Sequence, residues 1–267
     1  MRCIFCKANS DGSISVEHII PESLGNTSHV LPLGMVCDTC NNYFSRKVEG
    51  PVLNSIYFRA LRSEEFILSK QGRPAQLPAL LAPGLNPLNL AFCPPDETNT
   101  LSIVLPNVKD WDLFAAHQKN NKKGTLIIPK CEDEPPPGIM DRFLAKVAVE
   151  ALALRLNQKN IETMIDDEQL DLIRYFARYR KGPANWPYFQ RIIYPRDKVH
   201  LTEDGLTSQV LHEFDFLFTE ENELYFVLAI FGIEYTINMA GPELDGYYKW
   251  LKNNSDRSPL YPTEPAG

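Results

Sequence analysis

Residues 3–42 read CIFCKANSDGSISVEHIIPESLGNTSHVLPLGMVCDTCNN. Two Cys-x-x-Cys pairs, Cys3/Cys6 and Cys37/Cys40, bracket an adjacent carboxylate and imidazole, Glu17 and His18, with Pro21 just beyond. Two such pairs fit a tetrahedral four-thiolate zinc site, each pair biting the metal from one turn. The interval between them is longer than in common zinc ribbons, so it has room for a further device. Four thiolates leave no open coordination position, so this Zn²⁺ is expected to be structural. It would let a short segment with little core fold around its metal. The two remaining cysteines, Cys93 and Cys131, stand alone and read as free thiols.

Working outward, Ser13–Ile20 reads as a short strand that ends at Pro21, which cannot donate to a ladder. Leu31–Val36 is a second short apolar run. Asp38 is placed to cap a helix that carries Cys40, Asn41 and Asn42 and that breaks at Gly50-Pro51. A second helix is expected from about Val52 to Phe66. Residues 70–108 hold so many prolines that a linker with short extended pieces is expected. Beyond it, 101–105 and 125–128 read as strands, and 139–156 as an amphipathic helix with Met140, Phe143, Leu144, Val147, Ala151 and Leu154 on one face. Another helix is expected over 167–179. Strands are expected over 188–194, 209–218, 224–231 and 233–238, with Thr219–Glu223 as a hairpin loop, and a last helix over 243–252. The sequence therefore predicts an α+β protein of three parts: 1–75 with the zinc frame and an exit helix, 76–253 as a larger domain with antiparallel strands, and a disordered tail over 254–267.

Those motifs together resemble the HNH (His-Asn-His) endonuclease family, the ββα-metal nucleases, in its version with two zinc-binding Cys pairs. The residues that carry the resemblance are CIFC at 3–6, EHIIP at 17–21 and CDTCN at 37–41, within about residues 1–50. The resemblance implies phosphodiester hydrolysis. His18 would be the general base, a task suited to the side chain that titrates nearest neutral pH. Glu17 and Asn41 would hold a catalytic divalent ion, Asn42 being the alternative to Asn41. Oxygen ligands of that kind suit Mg²⁺ or another hard divalent ion. The chain departs from the family at its middle Asn, which would fall near Pro32. Asn26 and His29 are the nearest polar residues; a solvated loop is the expectation for each, with bracing of the loop or of His18 as the alternative.

The net charge of −7 is not that of a nucleic-acid binder, but it is uneven. Residues 1–75 carry 8 Lys and Arg against 7 Asp and Glu, a net +1, and the remainder 19 against 27, a net −8. Attraction to a phosphate backbone would have to be local. Arg46 and Lys47 are the nearest basic candidates for nucleic-acid contact. The expected partner is DNA, with RNA open; a homodimer or a regulatory partner through the C-terminal domain is also open. A second reading is a non-catalytic zinc module that binds nucleic acid or protein. No charged and apolar leader follows Met1, and no run nears the roughly 18 apolar residues of a membrane span, so the sequence predicts a cytoplasmic protein.

Overall fold

The computed structural model describes residues 1–69, 71–82, 86–92, 101–104, 108–120, 125–128, 135, 138–156, 158–196, 198–201 and 207–261. Cys93 and Cys131 lie outside them. The helices are α1 (Asp38–Phe44), α2 (Gly50–Leu53), α3 (Ile56–Glu64), α4 (Val108–Asn120), α5 (Met140–Arg155), α6 (Gln158–Asp166), α7 (Asp171–Tyr179) and α8 (Asp245–Asn253). The strands are β1 (Gln76–Ala82), β2 (Asn86–Phe92), β3 (Leu101–Val104), β4 (Thr125–Ile127), β5 (Tyr188–Ile192), β6 (Val199–Leu201), β7 (Thr207–Gln209), β8 (His212–Phe218), β9 (Leu224–Ile230) and β10 (Ile233–Asn238). This is an α+β protein with antiparallel sheets and a cysteine cluster near its start. No described helix is long and apolar enough to cross a membrane.

The chain divides into two compact units. One holds residues 1–21, 25–52 and 136–267; the other holds 22–24 and 53–135. In the second unit an antiparallel sheet of order β3-β2-β1-β4 buries Ala79, Leu81, Leu88 and Leu90 against Phe92, Ile103, Phe114 and Leu126. Its first two strands occupy the Pro-rich stretch expected to be a linker. The prolines are tolerated because of where they fall. β4 pairs β1 only over Leu80–Ala82, and β3 pairs β2 only over Asn89–Phe92. Among the described residues, Pro78 and Pro87 lie beyond the stretches that pair with β4 and β3, so their missing N–H groups break no described ladder. Ser55 caps α3 by accepting from the Phe58 N–H.

In the first unit the sheet order is β5-β10-β9-β8, all antiparallel. Phe231 and Gly232, both at positive φ, close the two-residue β9–β10 turn. A Cβ on Gly232 would lie 2.2 Å from the Tyr194 carbonyl oxygen, so glycine is required there twice over. The Thr219–Glu223 turn closes with Thr219 N–H on the Glu223 carbonyl at 3.0 Å. β10 is buried throughout, Glu234 included. Glu234 accepts from Arg191 Nε at 2.9 Å, Tyr247 at 2.7 Å and Ser258. Of the C-terminal stretch expected to be disordered, Ser258 is buried there and Tyr261 donates to Glu213 at 2.6 Å; residues 262–267 lie outside the described range.

Helix α5 packs against β10, α7 and the turn at Ser45–Glu49. It is not amphipathic in the expected sense. Every residue from Met140 to Ala151 is buried, including Asp141, Arg142, Lys146 and Glu150. The helix is packed on all sides because it is a shared core element, and its charged stripe faces protein, not water.

The first helix also differs from expectation. Gly50-Pro51 does not break it: the chain runs from α1 through a π-helical turn, Ser45–Glu49, into α2. Gly50 N–H bonds the Ser45 carbonyl in the wider i→i−5 pattern of that turn, and Pro51 follows as the second residue of α2. Asp38 caps nothing; its carboxylate instead accepts from the N–H groups of Ile14 (3.1 Å) and Ser15 (2.8 Å). Bonds from Ser15 hold it below the ordinary carboxylate range.

Candidate functional site

The first Cys pair sits in a knuckle. Lys7 N–H bonds the Cys3 carbonyl at 2.9 Å and Lys7 takes a left-handed conformation to close the turn. The second pair stands at the start of α1, with Cys37 just before the helix and Cys40 within it. The four sulfurs all lie within 4.8 Å of one another, Cys6 and Cys37 at 3.6 Å. Four thiolates at about 2.3 Å from one tetrahedral zinc stand about 3.8 Å apart, so the cluster is the right size for the ion. A bond from Cys40 pulls the Cys3 thiol down to about 5, while burial pushes Cys6 up to about 11 and the bond to Cys3 pushes Cys40 up. Thiols this close cannot all ionise unless a cation joins them. Arg178 of α7 donates through Nε to Cys40 Sγ at 3.2 Å and stacks over Tyr43 at 3.9 Å. Such a donor orients the ligand and offsets part of the thiolate charge.

Between the pairs, the expected strand over 13–20 is reduced to one antiparallel bridge, His18 with Val30. Leu31 N–H bonds the Glu17 carbonyl at 2.9 Å and Ile19 N–H bonds the His29 carbonyl at 3.1 Å. His18 and Val30 thus face each other without exchanging backbone bonds. The His18 carbonyl is left for another donor, Lys146 Nζ at 3.2 Å. Asn26, expected in a solvated loop, is fully buried. Its Nδ2 donates to the carbonyls of Ile20 (2.7 Å) and His29 (2.9 Å), and its Oδ1 accepts from the N–H groups of Ser28 and His29. It braces the loop opposite His18. His29 is partly buried against His212 and Phe214, with ring centroids 5.5 and 5.1 Å away. Burial holds both histidines below the ordinary imidazole range, His29 adding to the effect on His212.

Residues 3–56 match the model of the HNH endonuclease family. No curated protein and no solved structure matches the chain. The HNH segment points to a nucleic acid as substrate, and its bridge, loop and α1 carry the residues singled out by the motif. His18 is half-buried, with Nδ1 buried and without a hydrogen-bond partner among the described residues. Asn41, on α1, is partly exposed and donates through Nδ2 to the Val16 carbonyl at 3.2 Å. Its neighbour Asn42 is exposed and bonds back to the Asp38 carbonyl at 2.8 Å. Arg46 and Lys47 are exposed on the π-helical turn.

Glu17 goes elsewhere. The residue is buried, its side chain 8% exposed, and its Oε1 lies 2.6 Å from Lys146 Nζ on α5. The same ammonium is 2.5 Å from Glu49 Oε1 and 2.9 Å from Glu150 Oε2, and reaches the Ile19 carbonyl at 3.4 Å. Burial pushes Glu17 above the ordinary carboxylate range, against the pull of Lys146. Burial alone would lower Lys146; Glu150, Glu17 and Glu49 together hold it well above the ordinary amine value. One turn away on the same stripe, Arg142 donates to Tyr43 Oη at 2.8 Å and to the Ala177 carbonyl at 2.7 Å.

Lys146, Glu150, Glu49, Arg142 and Arg178 are thus the residues around the HNH segment that sequence reasoning missed. One signal was available. Arg142, Lys146 and Glu150 recur every four residues on a helix whose other sides are filled by Ala145, Val147, Ala148, Val149 and Ala151. A surface helix is not apolar on so wide an arc.

Proposed function

We propose that the chain is an endonuclease that hydrolyses phosphodiester bonds of DNA, with His18 as general base. The observation that carries the reading is the family match over residues 3–56 around a half-buried imidazole. With Nδ1 buried, Nε2 is the nitrogen left to take a proton from water. The water oxygen attacks phosphorus as the bond to the leaving oxygen breaks. Arg46 and Lys47 contact the flanking phosphates. In this chemistry a divalent ion such as Mg²⁺ supplies positive charge to the developing phosphorane. Asn41 fits as a ligand, since its Nδ2 is engaged with Val16 and its Oδ1 is the coordinating atom. Glu17, the other ligand implied by the resemblance, does not fit as arranged: it would have to leave Lys146 and the interior. No step of the hydrolysis is therefore assigned to an ion at Glu17.

The test is cleavage of supercoiled plasmid, linear DNA and RNA across Mg²⁺, Mn²⁺ and Ca²⁺, comparing wild type with His18→Ala. Wild type is expected to cut DNA with one of these ions and the variant to fail. Two equally inert proteins would overturn the reading. They would favour a second one, to which the occupation of Glu17 by Lys146 lends support: a non-catalytic zinc module that binds nucleic acid or protein. Activity that appears only after a partner or ligand is added would favour a nuclease gated through the C-terminal region.

A further inference from the structure

The ammonium of Lys146 stands in a cage of five oxygens: three carboxylates, from Glu17, Glu49 and Glu150, and the carbonyls of His18 and Ile19. Lys146 and Glu150 are fully buried and Glu17 nearly so. Every carbonyl from Glu17 to Ile20 is thereby engaged: Glu17 by Leu31, His18 and Ile19 by Lys146, Ile20 by Asn26. Two of the four are held by a side chain that is 128 residues from His18 in sequence. An ammonium has three protons for these oxygens, so the shortest contacts, to Glu49 and Glu17, fix its position and the carbonyls complete the shell. Arg142, on the same stripe, ties down Tyr43 on α1, the helix that carries Asn41.

We propose that Lys146 is a positioning residue, a tethered cation that fixes the His18 backbone and commits Glu17 as its internal counter-ion in place of a metal ligand. The arrangement does for the 17–19 turn what a bound ion would do, with oxygens gathered on one positive charge, but the charge belongs to the chain. Any catalytic ion then depends on Asn41 and on groups other than Glu17. This rests on the reading of His18 as the base.

The experiment uses the full chain, zinc-replete, as wild type, Glu17→Gln and Lys146→Met. It measures Mn²⁺ affinity by electron paramagnetic resonance, the His18 imidazole signals by NMR, and kcat and KM on plasmid. Glu17→Gln is expected to keep Mn²⁺ affinity within about twofold, because no first ligand is lost, while shifting the His18 signals. Lys146→Met is expected to lower kcat about tenfold or more with KM within about twofold. A tenfold or greater loss of Mn²⁺ affinity in Glu17→Gln would overturn the proposal, since that is the cost of disturbing a metal's own ligand set. So would unmoved His18 signals in a folded variant. Should Lys146→Met not fold, Glu17→Gln decides the matter alone through those signals. A wild type that neither binds Mn²⁺ nor cleaves DNA counts against the nuclease reading. The His18 signals of Glu17→Gln then still decide the role of Lys146, supporting it if they move and refuting it if they do not.

Discussion

Residues 3–21 and 25–52 of the HNH segment and the β5-β10-β9-β8 sheet belong to one compact unit but are held together by different means. In the sheet the backbone does the work: β9 pairs on both sides, and its side chains bury almost completely. Over residues 1–37 regular structure is limited to two isolated bridges and one short 3₁₀ turn, Glu22–Leu24. What holds that stretch is side chains: four sulfurs, the four bonds of Asn26, Asp38 on residues 14 and 15, and Lys146 beneath the His18 turn. A ladder spreads its stabilisation over many equivalent bonds. A segment held by a few side chains concentrates it, so single substitutions there carry large effects and leave the sheet standing.

The largest effect is expected from Cys40→Ser. Structural zinc contributes on the order of 10–16 kcal/mol of apparent binding energy in small zinc modules. The variant should lose its zinc by elemental analysis, and NMR signals of residues 1–44 should collapse while those of β8, β9 and β10 keep their dispersion. Simultaneous loss of both sets would erase the contrast between the two regions.

Lys146→Met comes next. It leaves Glu17, Glu49 and Glu150 without their shared cation, and removing one member of a buried ion cluster costs about 3–5 kcal/mol. Urea unfolding measures it. Adding Glu17→Met and Glu150→Met should recover part of the loss, because the uncompensated charge goes with them.

A smaller, pH-linked effect belongs to His29 and His212. Burial lowers both from an ordinary value of 6.5, so the fold prefers them neutral. Their contribution is full above about pH 6.5 and is lost as the pH falls toward their folded values. The urea midpoint should drop between pH 7 and pH 5, and His212→Phe should flatten that slope. An unchanged slope would remove these histidines from the account.

The two regions also differ in how much of them the sequence exposed. The zinc frame is a spacing signal, and cysteine spacing survives without any knowledge of packing. The strands of the large sheet were legible for a similar reason: apolar β-rich runs bounded by turn residues, as at Thr219–Glu223, need only local information. The burial of Lys146 was legible only indirectly, in the wide apolar arc around its stripe. Three charged residues four apart read as a wet helix face, and only the tertiary neighbours of α5 make that face interior. The prolines of β1 and β2 misled for a related reason, since a proline is tolerated or not according to whether its position needs a ladder N–H, which local sequence does not tell. Asn26 was legible only as one of two polar candidates for bracing the loop, because the polar sequence from Gly25 to His29 does not tell which side chain turns inward and bonds on both of its polar atoms.

The most direct test of the account is single-turnover cleavage of supercoiled plasmid by zinc-replete wild type and His18→Ala, at equal DNA occupancy and with a divalent ion present. The account predicts that both proteins bind the plasmid alike and that the variant cleaves at least about 100-fold more slowly, the usual contribution of a general base. Equal rates, or no cleavage by wild type under any ion, would contradict it.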